Sequence, residues 1–97
     1  MSRFNFNSHS INSNSSLYRD WLVDYQYWAK NDPKKFEKIG ELIKSISRDG
    51  VLKGVGKPER FKGNYTGWYS RRIDREHRLV YKITDGNLEI LTCRYHY

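Results

Sequence analysis

The spacing of the apolar residues changes once along this chain, near residue 50, and this change constrains the fold more than any other feature. From 17 to 48, apolar side chains recur every three to four positions, which predicts helices over 17–30 and 33–48. Between them, Asp32 is suited to be the N-cap of the second helix and Pro33 its first helical residue. So short a connection predicts an antiparallel helical hairpin.

Beyond residue 50 the pattern is typical of strands. A glycine-rich connection with a short strand near 60–63 leads to three predicted strands, over 68–74, 77–84 and 88–97. Their tight linkers require antiparallel pairing. With 97 residues the chain has room for one core. We therefore predict a single α+β domain, a helical hairpin packed on a small twisted antiparallel sheet.

The first sixteen residues are mostly Asn and Ser and contain little that could be buried. We interpret 1–16 as a polar N-terminal extension and 17–97 as the domain. Within the extension, Phe4 and Phe6 alternate with polar residues, which predicts a short strand over 3–7 at a sheet edge.

The strand register predicts which side chains share a face. Three-residue turns would pair Thr84 with Leu88, place Arg78 opposite Arg94, and place Arg72 opposite Arg78. A two-residue turn would instead move His96 to the other face. The predicted core face of the sheet holds Tyr69, Ile73, Leu79, Tyr81, Ile83, Leu91 and Cys93. The predicted open face holds Ser70, Arg72, Arg78, Lys82, Arg94 and His96.

The charge of the chain favours a polyanionic partner. The net charge is +7, and residues 53–97 hold 10 basic and 5 acidic side chains. The single cysteine, Cys93, excludes a disulfide framework and a Cys-rich zinc site. We expect no metal and no cofactor. Without an apolar run of about 18 residues or a secretory signal, we expect a cytoplasmic protein with no membrane span.

A few residues of the chain could cleave RNA without a metal. The reaction needs a base for the 2′-hydroxyl, cations around the phosphorus and an acid for the 5′-oxygen. Glu59 is the candidate base and His96 the candidate acid. Each has a simpler interpretation, Glu59 as a surface ion pair and His96 as a solvated terminal residue. The candidate phosphate-binding cations are Lys57, Lys62, Arg72, Arg78 and Arg94.

Several motifs resemble the YoeB family of bacterial toxins, in the RelE/ParE superfamily. They are Gly56-Lys57-Pro58-Glu59, Trp68, Ser70-Arg71-Arg72-Ile73, Glu76-His77-Arg78-Leu79-Val80-Tyr81 and His96-Tyr97, with Tyr25, Tyr27-Trp28 and Glu41-Leu42-Ile43-Lys44 before them. The resemblance covers about three quarters of the chain. It implies a microbial-RNase-like fold and an mRNA endonuclease that acts in the ribosomal A site. It also implies a YefM-type antitoxin as partner, and we expect a homodimer.

By the same resemblance, Glu59 matches the general base, Arg78 the phosphate-stabilising arginine and His96 the general acid of the family. Tyr97 matches a terminal tyrosine needed for activity, while Lys62 and Arg72 match supporting cations. Two other functions stay open. One is a non-catalytic basic module that binds RNA or an antitoxin; the other is a gyrase-directed relative, which the acid–base set disfavours.

The sequence departs from the family pattern in two places. The extension adds about a dozen polar residues before the first helix, and Arg60 stands where a proline is common. Arg60 could pair with Glu59 and slow proton abstraction, or it could contact RNA. Both alternatives stay open at this point.

Overall fold

The structure is a computed structural model, and it describes residues 5–6 and 21–94. Two α-helices are followed by a sheet to which the N-terminal segment adds an edge strand. The elements in chain order are β1 (Asn5–Phe6), α1 (Trp21–Asn31), α2 (Pro33–Asp49), β2 (Glu59–Arg60), a 3-10 turn (Gly63–Tyr65), β3 (Tyr69–Arg72), β4 (Arg78–Thr84) and β5 (Asn87–Thr92).

The boundary between the helices lies where it is predicted. Asp32 is the N-cap of α2 and Pro33 its first residue, while Gly50 ends the helix with its N–H donating to the carbonyl of Ile46. The Asp32 carboxylate accepts a hydrogen bond from Lys35 at 2.8 Å rather than from a backbone N–H of the first turn. This contact lowers the pKa of Asp32 below its ordinary value.

The core lies between the helical hairpin and one face of the sheet. The apolar spacing of α1 and α2 correctly predicts the helical residues of this core, which include Trp21, Trp28, Ile39, Leu42 and Ile46. The start of the first predicted helix, 17–20, lies outside the described residues. No helix of the described segments is long and apolar enough to cross a bilayer.

The sheet has the strand order β1-β5-β4-β3-β2. The four strands from β2 to β5 are antiparallel to their neighbours, and β1 joins β5 in parallel through Asn5 with Asn87 and Phe6 with Leu88. This edge strand falls within the segment 3–7. The α+β prediction, a helical hairpin on a small antiparallel sheet, is confirmed.

The predicted register of the last hairpin is wrong at its turn. The turn is Asp85-Gly86, two residues long, so Thr84 pairs with Asn87 rather than with Leu88. An irregularity opposite Val80 and Tyr81 then adds one residue to β5, and Val80 pairs with Thr92 as the predicted register requires.

The two-residue turn explains one error in the predicted core. Leu88 and Ile90 face the helices in the stretch that the two-residue turn shifts, and both belong to the core cluster. Leu91, predicted for that face, is buried without belonging to the cluster. Beyond the extra residue, Cys93 is in the core as predicted.

Candidate functional site

The sheet face that points away from the helices brings Glu59 and two arginines together. Leu79 and Tyr81 point into the core, so the side chains at 78 and 80 take the opposite face. Ser70 pairs with Val80 and Glu59 with Ser70, which puts Glu59 on that face, the open face. Ser70 and Val80 are themselves buried there, whereas Glu59 is exposed. Arg72 is the diagonal neighbour of Glu59, at about 7–8 Å between Cα atoms.

Arg72 and Arg78 form a directly opposed pair on the same face. The register of β3 and β4 pairs these two residues, as predicted. Arg72 is exposed, whereas Arg78 is half-buried. Nη1 of Arg78 donates to the carbonyl of Asp74 at 2.9 Å and to that of His77 at 3.1 Å. All these contacts use Nη1, so within the described part of the chain Nη2 and Nε keep their hydrogens for an anion.

The turn that receives Arg78 is held in place by Asp74. Its Oδ1 accepts hydrogen bonds from the backbone N–H groups of Glu76 and His77, and its Oδ2 lies 3.2 Å from Nζ of Lys35. Partial burial opposes ionisation of Asp74, but these N–H groups and the ammonium outweigh it, so the pKa lies below its ordinary value. The His77 ring packs edge-on against Trp28 at 4.8 Å. The carbonyls that hold Arg78 therefore have a fixed position.

Lys57 and Lys62 lie on either side of the strand that carries Glu59, and both are exposed. Lys57 has a φ of 51°, in the left-handed region that non-glycine residues seldom adopt. Farther along the open face, Nζ of Lys82 lies 4.6 Å from the centre of the Trp68 ring. Exposed cations therefore precede and follow Glu59 along the chain, and Lys82 adds positive charge farther along the open face.

Arg60 and Glu59 point to opposite faces, because they are consecutive residues of one strand. The Arg60 side chain is exposed. This alternation disfavours the ion pair that the sequence left open, in which Arg60 would hold the Glu59 carboxylate.

The predicted pairing of Arg78 with Arg94 lies beyond the last pair of β4 and β5, Val80 with Thr92, so it stays a prediction. The guanidinium carbon of Arg94 lies 3.7 Å from the centre of the Tyr27 ring and 5.9 Å from that of Trp28, so the side chain packs on α1. The cation–π attraction of these rings holds the Arg94 guanidinium on α1. Arg94 lines a pocket of about 340 Å³ together with Tyr27, Trp28, Asp32, Lys35, Asp74, Glu76 and His77.

The remaining two predicted catalytic residues, His96 and Tyr97, lie outside the described residues. The chain leading to them is tied to α1, since Nε1 of Trp28 donates to the carbonyl of Cys93 at 2.9 Å in a buried hydrogen bond. Within the described segments, no group of three or more His, Cys, Asp or Glu side chains could hold a metal ion.

Arg71 is a residue of this region whose role the sequence motifs do not indicate. It lies between Ser70 and Arg72 in β3, and its side chain is fully buried on the helix side of the sheet. The signal was present in the strand alternation, which places Arg71 on the same face as Tyr69 and Ile73.

Comparison with known proteins shows the family. The model of the YoeB-like toxin of bacterial type II toxin–antitoxin systems matches residues 18–97. A protein named Toxin YoeB from Streptomyces coelicolor is 55% identical over 74 residues, which cover 76% of this chain and 87% of that protein. Its namesake from Escherichia coli K12 is 53% identical over 74 residues, covering 76% of this chain and 87% of that one.

Comparison with solved structures leads to the same family. The YoeB dimer from Staphylococcus aureus superposes with a TM-score of 0.78 at 47% identity, covering 98% of this chain and 99% of that one. A YoeB–YefM complex from the same organism gives 0.77 at 45% identity, covering 96% and 94%. Escherichia coli YafQ, at 16% identity and a TM-score of 0.61 over 95% and 90% of the two chains, shares the fold. The expected fold is confirmed, and the chain belongs to the YoeB-like toxins of bacterial type II toxin–antitoxin systems.

Proposed function

We propose that this toxin is an endoribonuclease that cleaves messenger RNA in the ribosomal A site and so halts translation. One observation carries the proposal: Glu59, Arg72 and Arg78 share the open face of the sheet. A carboxylate beside two guanidinium groups is suited to a phosphodiester, with the anion between the cations and its 2′-hydroxyl toward the carboxylate.

The proposed chemistry needs no metal. Glu59 accepts the proton of the 2′-hydroxyl as its oxygen attacks the phosphorus, and the bond from phosphorus to the 5′-oxygen breaks. Arg78 and Arg72 stabilise the negative charge that develops on the phosphate oxygens. His96 donates a proton to the departing oxygen, and Tyr97 completes the site. The products are a 2′,3′-cyclic phosphate and a 5′-hydroxyl end.

The other predicted cations contribute binding. Lys57 and Lys62 are exposed beside β2, where they can contact the phosphates that flank the scissile bond. The predicted RNA contact of Arg94 stays a prediction, because its guanidinium is engaged with Tyr27. Glu59 is carried by a two-residue strand. Since so short a strand orients a base weakly by itself, we propose that the ribosome completes the alignment.

We also propose the partners. The net charge of +7 suits an acidic, partly disordered antitoxin of the YefM type that folds over the basic face. The YoeB–YefM complex and the YoeB dimer from Staphylococcus aureus support an antitoxin complex and a homodimer for this chain. Cleavage of messenger RNA on ribosomes places the protein in the cytoplasm.

A binding module without catalysis is the second candidate function, since the same basic face would also hold RNA or an antitoxin. Primer extension on translated messenger RNA after induction distinguishes the two. We expect new 5′ ends within translated codons for the wild type and a strong loss of these ends for Glu59→Gln, Arg78→Ala or His96→Gln. Glu37→Gln, an exposed carboxylate of α2, is the matched control. Growth arrest without new ends would support the binding module.

A further inference from the structure

The guanidinium of Arg71 has an acceptor for each of its five N–H groups, although the residue is 0% exposed. Nε donates to the Tyr81 hydroxyl at 2.9 Å. Nη1 donates to Oγ of Ser45 at 2.9 Å and to the carbonyl of Val55 at 2.8 Å. Nη2 donates to the carbonyls of Gly50 at 2.7 Å and Lys53 at 2.6 Å. A buried cation held by five neutral oxygens is a built feature of the fold.

Two of these acceptors extend the network to the same loop. The Tyr81 hydroxyl donates to the carbonyl of Val51 at 2.6 Å. Oγ of Ser45 accepts the N–H of Val55 at 3.1 Å and donates to the Asp49 carboxylate at 2.9 Å. Arg71 therefore holds, directly or through one hydroxyl, the backbone of most of the loop from 50 to 55.

This loop leads directly to the candidate base. It passes so close to Arg71 that a Cβ at Gly56 would lie 3.1 Å from Cβ of Arg71 and 2.6 Å from Leu42. The carbonyl of Gly56 then accepts the N–H of Arg72 at 2.6 Å. Glu59 follows three residues later and pairs with Ser70. The two backbone neighbours of Arg71 thus fix the end of the loop and the strand of Glu59.

We infer that Arg71 is a positioning residue: its buried side chain sets the loop 50–56, and so the place of Glu59 relative to Arg72 and Arg78. Arg71 and Arg72 are consecutive, so one strand holds the loop on the helix side and presents the phosphate-binding cation on the open side. Arg71 touches no reacting atom in this account. The inference rests on the proposed function of Glu59 as the base.

Lysine cannot replace this arginine. Its ammonium has three N–H groups, so at least two of the five acceptors would lose their donor in Arg71→Lys. Because the substitution keeps the positive charge, it tests the hydrogen-bonding geometry of the guanidinium and not its charge. We expect the loop to relax and the cleavage rate to fall roughly 10- to 100-fold, since a misplacement of about 1 Å can reduce a rate this much.

A double-mutant cycle tests whether Arg71 acts through Glu59. Single-turnover cleavage of ribosome-bound messenger RNA is measured for the wild type, Arg71→Lys, Glu59→Gln and the double variant, with reactions followed for hours. We expect Arg71→Lys to slow the wild type but to leave the slow rate of Glu59→Gln unchanged. Arg75→Lys, the same substitution on an exposed side chain, should change neither. An equal loss in both backgrounds would overturn the inference.

Amide hydrogen exchange tests the loop without reference to catalysis. In Arg71→Lys we expect the amides of Val55 and Arg72 to exchange at least tenfold faster, with the β4–β5 amides unchanged. An unchanged loop, or equal acceleration everywhere, would contradict the inference. If Arg71→Lys does not fold, Ser45→Ala takes its place in both experiments, because it removes one acceptor and keeps the arginine. A wild type without cleavage would instead refute the proposed function.

Discussion

Arg72 and Arg78 lie directly opposite each other in the antiparallel pair β3–β4, with both side chains on the face that points away from the helices. Like charges at directly opposed positions destabilise a sheet. Arg78 reduces this repulsion only in part, by donating from Nη1 to the carbonyls of Asp74 and His77. Such a pair is expected where an anion occupies the space between the two guanidinium groups.

Arg72→Gln should therefore stabilise the free protein while it weakens cleavage. The loss of the repulsion raises the free energy of unfolding by about 0.2–1 kcal/mol. This gain should shrink at high salt, which screens exposed charges. Urea denaturation at two salt concentrations and a cleavage assay measure the two effects. Arg75→Gln, an exposed arginine in the turn, is the control that should change neither. If Arg72→Gln were less stable than the wild type and fully active, the two arginines would not repel each other as described.

Trp28→Phe should destabilise the fold and impair cleavage together. The buried carbonyl of Cys93 loses its hydrogen bond from Nε1, which costs about 1–3 kcal/mol. Because Cys93 stands three residues before His96, we expect the cleavage rate to fall more than the folded fraction does. Thermal unfolding and single-turnover kinetics check this. Tyr27→Phe keeps an aromatic ring under Arg94 and should retain both properties.

Tyr81→Phe should change how stability depends on pH. Burial raises the pKa of Tyr81, and the hydrogen bond from Arg71 offsets only part of this. The unfolded chain therefore loses the phenol proton first, at about pH 10, while the folded protein keeps it. The stabilisation is complete below pH 10 and is lost as the pH rises toward the folded-state pKa.

The phenylalanine variant lacks this pH-dependent contribution. It should be less stable by about 1–3 kcal/mol at neutral pH, since Val51 and Arg71 lose a partner. The difference between the two proteins should shrink above pH 10. Denaturation at a series of pH values measures it, and a constant difference would show that the Tyr81 hydroxyl does not titrate as described.

Lys57→Ala and Lys62→Ala should each make RNA binding less sensitive to salt. A cation that contacts a phosphate releases about one counterion, so its loss reduces the slope of log K against log salt by about 0.7 for a single strand. Binding is measured in the Glu59→Gln background to avoid cleavage. Lys44→Ala, on the exposed side of α2, should leave the slope unchanged. Equal slopes for all four proteins would place the RNA elsewhere.

The sequence predicts most of this fold because its signals are local. The helical spacing, Asp32 with Pro33, and the alternation in β3 and β4 each determine one element without help from distant residues. The pairing of Arg72 with Arg78 follows from the short turn between their strands. A local signal also identifies Glu59 as a site residue, because it is a charged residue in a glycine-rich loop.

The remaining features depend on packing that no local pattern specifies. The two-residue turn shifts the pairing of Leu88 and Ile90 by one residue from the predicted register. The extra residue in β5 cancels this shift, so Thr92 pairs as predicted. Arg94 is drawn to Tyr27, a ring of the first helix that lies far from it along the chain. Strand alternation puts Arg71 and Arg72 on opposite faces, but the hydrogen bonds of Arg71 to the loop 50–55 form only in the folded chain.

The most direct measurement is of the chemical ends that purified toxin leaves on messenger RNA in a reconstituted translation reaction. Attack by the 2′-hydroxyl predicts 5′-hydroxyl ends, which polynucleotide kinase labels without prior phosphatase treatment, and their disappearance with Glu59→Gln. Ends that carry a 5′-phosphate, or undiminished labelling with Glu59→Gln, would contradict the account.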